Sequence, residues 1–315
     1  MTRVAGIDCG TNSIRLLVAD LDGSGLTDVV RTMEIVRLGE GVDRTGRLSP
    51  AAIDRTRIAL EGYAETIAET GAERVRMVAT SASRDSSNAG DFRAMVRAVL
   101  GQDPEVITGD EEARLSFTGA VRGLPVEGPY VVVDIGGGST EFVLGTSTVE
   151  AARSVDVGCV RLTERHLHSD PPTAAEIAAA EADIRAAVAL ATETVPVAEA
   201  RTLVGLAGSV TTVTALALEL PAYDSTRIHH ARISRDRVAE VTAMLLGATR
   251  AERAGLPVVH PGRVDVIGAG ALVLRVLMDE IGAASVVASE HDILDGIALS
   301  VASPGRIPPV GQDAR

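Results

Sequence analysis

The chain has 315 residues, 46% of them hydrophobic, and a formal net charge of −13. That length and apolar share predict a globular protein with a well-buried core and two domains, and the acidic balance argues against a general binder of nucleic acid or of anionic membranes. Aromatic residues make up 2% of the chain, too few for single-strand stacking platforms, and all 30 basic residues are arginine, which excludes a P-loop lysine and a Schiff-base lysine alike.

In chain order the patterns predict strands at 3–9, 13–21 and 26–41, helix 49–70, strand 74–80, helix 88–100, strand 104–108 and helix 110–122. Ser49 and Pro50 open the first helix as cap and first residue, and Gly71 closes it. A Gly- and Pro-rich stretch, 123–129, follows. The pattern then restarts with strands 130–134, 140–145 and 148–160, helix 173–194, strand 201–206, helices 209–220, 234–250 and 262–281, strand 285–289 and helix 292–302. The expected organisation is an N-terminal lobe over 1–123, completed by the C-terminal helix 292–302, a second lobe over 124–303 and a disordered tail over 304–315. No run of about 18 uncharged apolar residues occurs, no leader pattern precedes the first strand, and Cys9 and Cys159 lack metal-type spacing. A cytoplasmic location is expected.

The two halves share a motif. Asp134, Gly136 and Ser139 each lie 126 residues after Asp8, Gly10 and Ser13, and both triplets join an apolar strand to a second strand through a tight turn. Such a turn leaves backbone N–H groups free to face an anion, while the Asp at the strand end suits a divalent cation. Thr11, Asn12 and Ser13 in one loop, and Gly137, Gly138 and Ser139 in the other, offer hydroxyls and amides to phosphate; the run Gly136 to Gly138 permits close backbone approach. Third strands also match, Arg31–Ile35 against Arg153–Val157, at an offset of 122. A further phosphate-loop candidate, Gly208 and Ser209, sits where strand 201–206 meets a helix N-terminus, and Arg84 lies in the corresponding turn of the first half. Glu111 and Glu112 open the helix after strand 104–108 as dipole-complementing residues or as a base; the six histidines have no ligand spacing and predict no zinc site.

These motifs, together with Ala79–Arg84 and Asn88, Ile107–Leu115 and Arg263–Ala271, resemble the exopolyphosphatase and guanosine pentaphosphate phosphohydrolase (Ppx/GppA) family over residues 3–302. The resemblance implies an α/β fold, a duplicated actin-like (ribonuclease H-like) architecture whose two lobes hold mixed sheets flanked by helices around an interlobe cleft. It also implies that Glu112 activates the attacking water, that Asp8 and Asp134 organise Mg²⁺, and that Ser13, Gly137, Gly138 and Ser139 contact phosphate. Arg84, Arg15 and Arg263 would steer the rest of the chain. The family pattern Gly-Leu-Arg-Glu-Gly is here Asp292 to Gly296, with Leu294 in place of Arg. The activity so implied is Mg²⁺-dependent removal of the terminal phosphate from inorganic polyphosphate, favouring short chains. The alternatives are 5′-phosphohydrolysis of guanosine pentaphosphate (pppGpp), or a non-hydrolytic sensor of polyphosphate or of alarmones such as ppGpp. Homodimerisation is a family-level expectation.

Overall fold

A computed structural model describes residues 2–23 and 25–302; the expected tail at 304–315 lies outside them. The first half runs β1 (Thr2–Cys9), β2 (Ser13–Asp22), β3 (Gly25–Ile35), α1 (Val42–Thr45), α2 (Pro50–Thr70), β4 (Arg74–Ala79), α3 (Ser81–Arg84), α4 (Ala89–Leu100), β5 (Glu105–Val106) and α5 (Gly109–Val121). The second runs β6 (Tyr130–Ile135), β7 (Thr140–Gly145), β8 (Val149–Val155), α6 (Cys159–His166), α7 (Ala174–Thr192), β9 (Thr202–Leu206), α8 (Ala207–Ala217), α9 (Ser225–Ile228), β10 (Arg232–Ser234), α10 (Arg235–Gly247), α11 (Arg250–Ala254), α12 (Ile267–Glu280), β11 (Ser285–Ala288) and α13 (Ile293–Ala302).

Two mixed sheets result, with strand orders β3-β2-β1-β4-β5 and β8-β7-β6-β9-β11, the second extended by β10. In each, the first strand pairs antiparallel with its hairpin partner and parallel with the strand that follows a helix, so the duplicated architecture expected from the motifs is present. Chain chemistry sets the ends of the elements. Ser49 accepts from the Ala52 amide at 3.1 Å and Gly71 closes α2 in a left-handed conformation at φ 69°. Among the described residues no helix is long and apolar enough to cross a membrane.

Two helices are exchanged between the sheets. Helix α5, from the first half, packs on β6, β7 and β8 of the second sheet, whereas α13, from the end of the described chain, packs on β1, β2 and β4 of the first. Phe117 of α5 anchors this arrangement: it is fully buried with Val132, Val143 and Val204, a burial worth about 2–3 kcal/mol. The two helices also meet each other backbone to backbone. A methyl added at Gly119 would lie 1.8 Å from the Asp292 carbonyl oxygen, and one at Gly296 would lie 2.0 Å from that of Leu115.

Four predicted elements need correction. Strand 26–41 ends at Ile35, and strand 148–160 ends at Val155, after which 159–166 is helix α6. Both errors fall directly after the third strand, where Val36, Leu38 and Val157 prolong an alternating apolar pattern and are buried as strand residues would be. Their backbone does not continue a ladder. It bonds instead to the duplicated loops: Val36 and Arg37 amides donate to Asn12 O, Gly39 N to Thr11 O, Cys159 N to Gly136 O, and Val160 and Arg161 amides to Gly137 O. Helix 234–250 divides into α10 and α11, because Thr249 starts a new helix with a capping box to Glu252. Helix 262–281 begins at Ile267, after a 3-10 turn over Pro261–Arg263.

Candidate functional site

The two copies of the loop close with the same bond. Gly10 N donates to Ser13 O at 2.9 Å, and Gly136 N donates to Ser139 O at 3.0 Å. Among the described residues the amides of Thr11, Asn12, Gly137, Gly138 and Ser139 have no protein acceptor, which is the condition for an anion-binding concavity. The first loop is tied to the turn after β4, where Thr11 Oγ1 and Ser81 Oγ are hydrogen-bonded at 2.8 Å, and the second loop packs on this pair. Added methyls would lie 2.8 Å from Thr11 Cβ at Gly137 and 2.7 Å from Ser81 Oγ at Gly138. The missing side chains of the glycine run therefore make room for the opposite half of the protein.

Between the loops lies a cleft with about 80 Å³ of free volume. Asp8, Gly10, Thr11, Asn12, Ser13, Arg15, Glu112, Asp134, Gly136, Gly137, Ser139, Gly208, Ser209 and Arg263 all line it. Gly138 and Arg84 do not. Arg84 stands behind the cleft wall, donating to Ile107 O at 2.9 Å and to Glu112 Oε2 at 3.2 Å. Helix α5 delivers Glu112 to the cleft because Thr108 caps it by accepting from Glu111 N at 3.2 Å, placing Glu112 in the first turn.

The acidic groups are buried together, and this dominates their proton affinities. Burial, then the nearby Glu141 carboxylate, holds Glu112 well above the usual carboxylate range, against the opposing Arg84 charge. Burial, with Asp292 beside it, pushes Asp134 up to about 6 although Ser116 Oγ donates to it at 2.7 Å. Asp8 is raised by burial despite its ion pair with Arg15, and its Oδ1 is buried without a partner. Among the described residues no three His, Cys, Asp or Glu side chains converge as a metal cluster. Two carboxylates with an unpartnered oxygen still suit Mg²⁺, which takes one or two protein carboxylates and fills its other positions with water and phosphate.

The arginines differ in what they have left to offer. Arg15 is held on both sides, by Asp8 at 2.7 Å and by Asp292. Arg31 is likewise paired with Asp28 and Asp295. Arg263 forms no ion pair among the described residues; its Nη2 contacts Met33 Sδ at 3.3 Å, and burial lowers its proton affinity. It reaches the cleft over Gly208, where an added methyl would lie 1.1 Å from Nη1. Beyond it opens a chamber of about 490 Å³, walled partly by Val259, Pro261, Tyr223 and Leu294. Leu294 is buried against Val4, Leu17 and Ala298, so the position that is Arg in the family pattern here belongs to the core.

Glu141 is a buried carboxylate at the site that the sequence analysis does not single out. It is 1% exposed, accepts from Ser154 Oγ at 2.7 Å, and is raised to about 8 by burial and Asp134. The available signal was its place two residues after Ser139, on a strand otherwise apolar from Phe142 to Leu144.

The model of the Ppx/GppA phosphatase family matches residues 17–303. An Exopolyphosphatase 2 of Mycobacterium tuberculosis is 56% identical, covering 96% of this chain and 99% of its own length. The crystal structure of an exopolyphosphatase-like protein superposes with a TM-score of 0.92 at 44% identity, over 95% of this chain and 98% of that one. A guanosine-5′-triphosphate,3′-diphosphate pyrophosphatase of Aeromonas salmonicida is 28% identical over 93% of this chain and 58% of its own length.

Proposed function

The chain belongs to the Ppx/GppA phosphatase family and is a phosphoanhydride hydrolase, and within that class we propose that it removes the terminal phosphate of short inorganic polyphosphate. The observation that carries the mechanism is the position of Glu112, a buried carboxylate in the same narrow cleft as the unpartnered amides of both loops. The amides hold the terminal phosphate. Water attacks its phosphorus in line, Glu112 accepts the proton, and Arg263 meets the charge of the departing chain. Mg²⁺ bound by Asp8 and Asp134 would supply charge neutralisation for the phosphates. Arg84, which the family resemblance implies as a substrate contact, donates to Glu112 Oε2 at 3.2 Å, and we assign it to orienting the base. Burial and the neighbouring Glu141 raise the proton affinity of Glu112, which strengthens it as a proton acceptor.

The charge pattern supports short chains. Of the three arginines lining the chamber, Arg15 and Arg31 are already neutralised by carboxylates, which leaves Arg263 for a polyanion. A second reading, hydrolysis of pppGpp, is favoured by the chamber itself, whose volume suits a nucleoside-sized body beside the phosphate cleft.

Phosphate release from tripolyphosphate, long polyphosphate and pppGpp, each with Mg²⁺ or a chelator, tests both readings. Release from tripolyphosphate above the other two is expected, with loss under chelation. Glu112→Gln is expected to lower kcat by about 10²-fold or more. Release from pppGpp alone would select the second reading, and no release from any substrate would leave a non-hydrolytic sensor.

A further inference from the structure

Corresponding carbonyls in the two loops are held in different ways. Asn12 and Gly138 occupy the same position of the repeat, 126 residues apart. Asn12 O accepts two backbone amides, from Val36 at 3.1 Å and Arg37 at 2.9 Å, so the first loop is pinned by its own half. Gly138 O receives no backbone donor among the described residues; it accepts from Arg161 Nε at 2.7 Å. The rest of that guanidinium crosses to the first half, where Nη1 donates to Asp43 at 2.6 Å and Nη2 to Asp85 at 2.6 Å. The side chain is 13% exposed, and Arg161 stands behind the cleft rather than lining it.

We infer that Arg161 is a positioning residue for the proposed hydrolysis, fixing the second phosphate loop in its anion-binding orientation only when the two halves are clasped. The reason lies in the peptide plane. The Gly138 carbonyl and the Ser139 N–H belong to one trans peptide and point in opposite directions. Holding the carbonyl out toward Arg161 turns the Ser139 amide, which has no protein acceptor, toward the cleft that Ser139 lines. Release of Arg161 frees that peptide to flip, and glycine at 138 offers little resistance. The same guanidinium ties the loop to Asp85, next in sequence to the Arg84 that holds Glu112. Loop and base are thereby brought into register by one side chain, whose planar fork of donors a lysine cannot reproduce.

This inference rests on the hydrolase reading, and the experiment separates the two. Phosphate release from tripolyphosphate is measured for wild type and Arg161→Gln, with added guanidinium in the low-millimolar range and urea as the control. The expected result is a kcat lower by about 10²-fold, as for loss of one oriented transition-state donor, with KM changed far less. Guanidinium is expected to restore at least about ten-fold where urea does not. A folded variant that keeps its kcat, or one that loses activity through KM alone without rescue, overturns the assignment. If Arg161→Gln does not fold, Asp43→Asn combined with Asp85→Asn is expected to lower kcat by about ten-fold, since it loosens Arg161 without removing it, and an unchanged kcat overturns the assignment. If wild type releases no phosphate from any substrate, the hydrolase reading falls alone. Calorimetric binding of tripolyphosphate then decides: about ten-fold weaker binding to Arg161→Gln upholds the assignment, and equal binding overturns it.

Discussion

The loops at Asp8–Ser13 and Asp134–Ser139 share a turn, a closing bond and backbone backing, yet they differ in what surrounds them. The first carries side chains that reach outward, with Thr11 bonded to Ser81, and its backbone is locked by the segment after β3. The second is stripped to glycine where Thr11 and Ser81 press on it, and one of its carbonyls depends on a side chain from α6. Three backbone amides back each loop, from 36–39 and from 159–161, so the difference lies in tight packing at the glycines and in the one carbonyl that Arg161 holds. The lesson is that equal motifs need not have equal tolerance to change.

The largest expected effect tests this inequality directly. Gly138→Ala is expected to lower activity by about 10²-fold, because a methyl 2.7 Å from Ser81 Oγ and 2.9 Å from Thr11 Oγ1 forces the loops apart, and a misplacement near 1 Å has a cost of that order. Gly10→Ala, whose nearest atom would be Ser13 O at 3.5 Å, is expected to stay within about three-fold, as an ordinary van der Waals contact. Phosphate-release assays on both variants, with thermal unfolding alongside, check the pair; equal losses would dissolve the distinction.

A smaller loss is expected from Gly208→Ala. The new methyl meets the end of the Arg263 side chain first, so the guanidinium is expected to shift while the fold stands. Activity should fall by about ten-fold with little change in Tm, compared with about a hundred-fold for a fully lost transition-state donor.

The smallest effect concerns the acidic cluster that both loops share. Folding raises Asp134 to about 6 and Glu141 to about 8, above unfolded values near ~4. Between those limits the native state holds more protons than the unfolded chain, so without a cation stability falls as pH rises through the window of about 4 to 8. Mg²⁺ binds the ionised carboxylates and counters that trend. Its stabilisation, read as a Tm shift of about a few degrees, should therefore grow from pH 5 to pH 8; a shift that shrinks with pH would place the cation elsewhere.

Much of this was legible in the chain. The constant spacing of Asp, Gly and Ser exposed the duplication, and all but two of the candidate site residues converge on one cleft. Two things were hidden, for physical reasons. Apolar alternation does not show which backbone groups a ladder takes and which serve a loop, so the backing residues 36–39, and 159–160 at the start of α6, are predicted as more strand. Long-range ion pairs leave no local pattern either. Nothing around Arg84 or Arg161 announces a partner at Glu112, Asp43 or Asp85, because those separations of 28, 118 and 76 residues are closed only by the fold.

The exchange of α5 and α13 bears on whether the two halves can be separated. Each sheet is roofed by a helix that the other half supplies, and the two helices touch through Gly119 and Gly296 without a side chain between them. A chain cut in the Gly- and Pro-rich stretch at 123–129 would yield one fragment lacking α13 over its sheet and another lacking α5. Each half relies on the other to cover its sheet, so neither fragment is expected to fold alone.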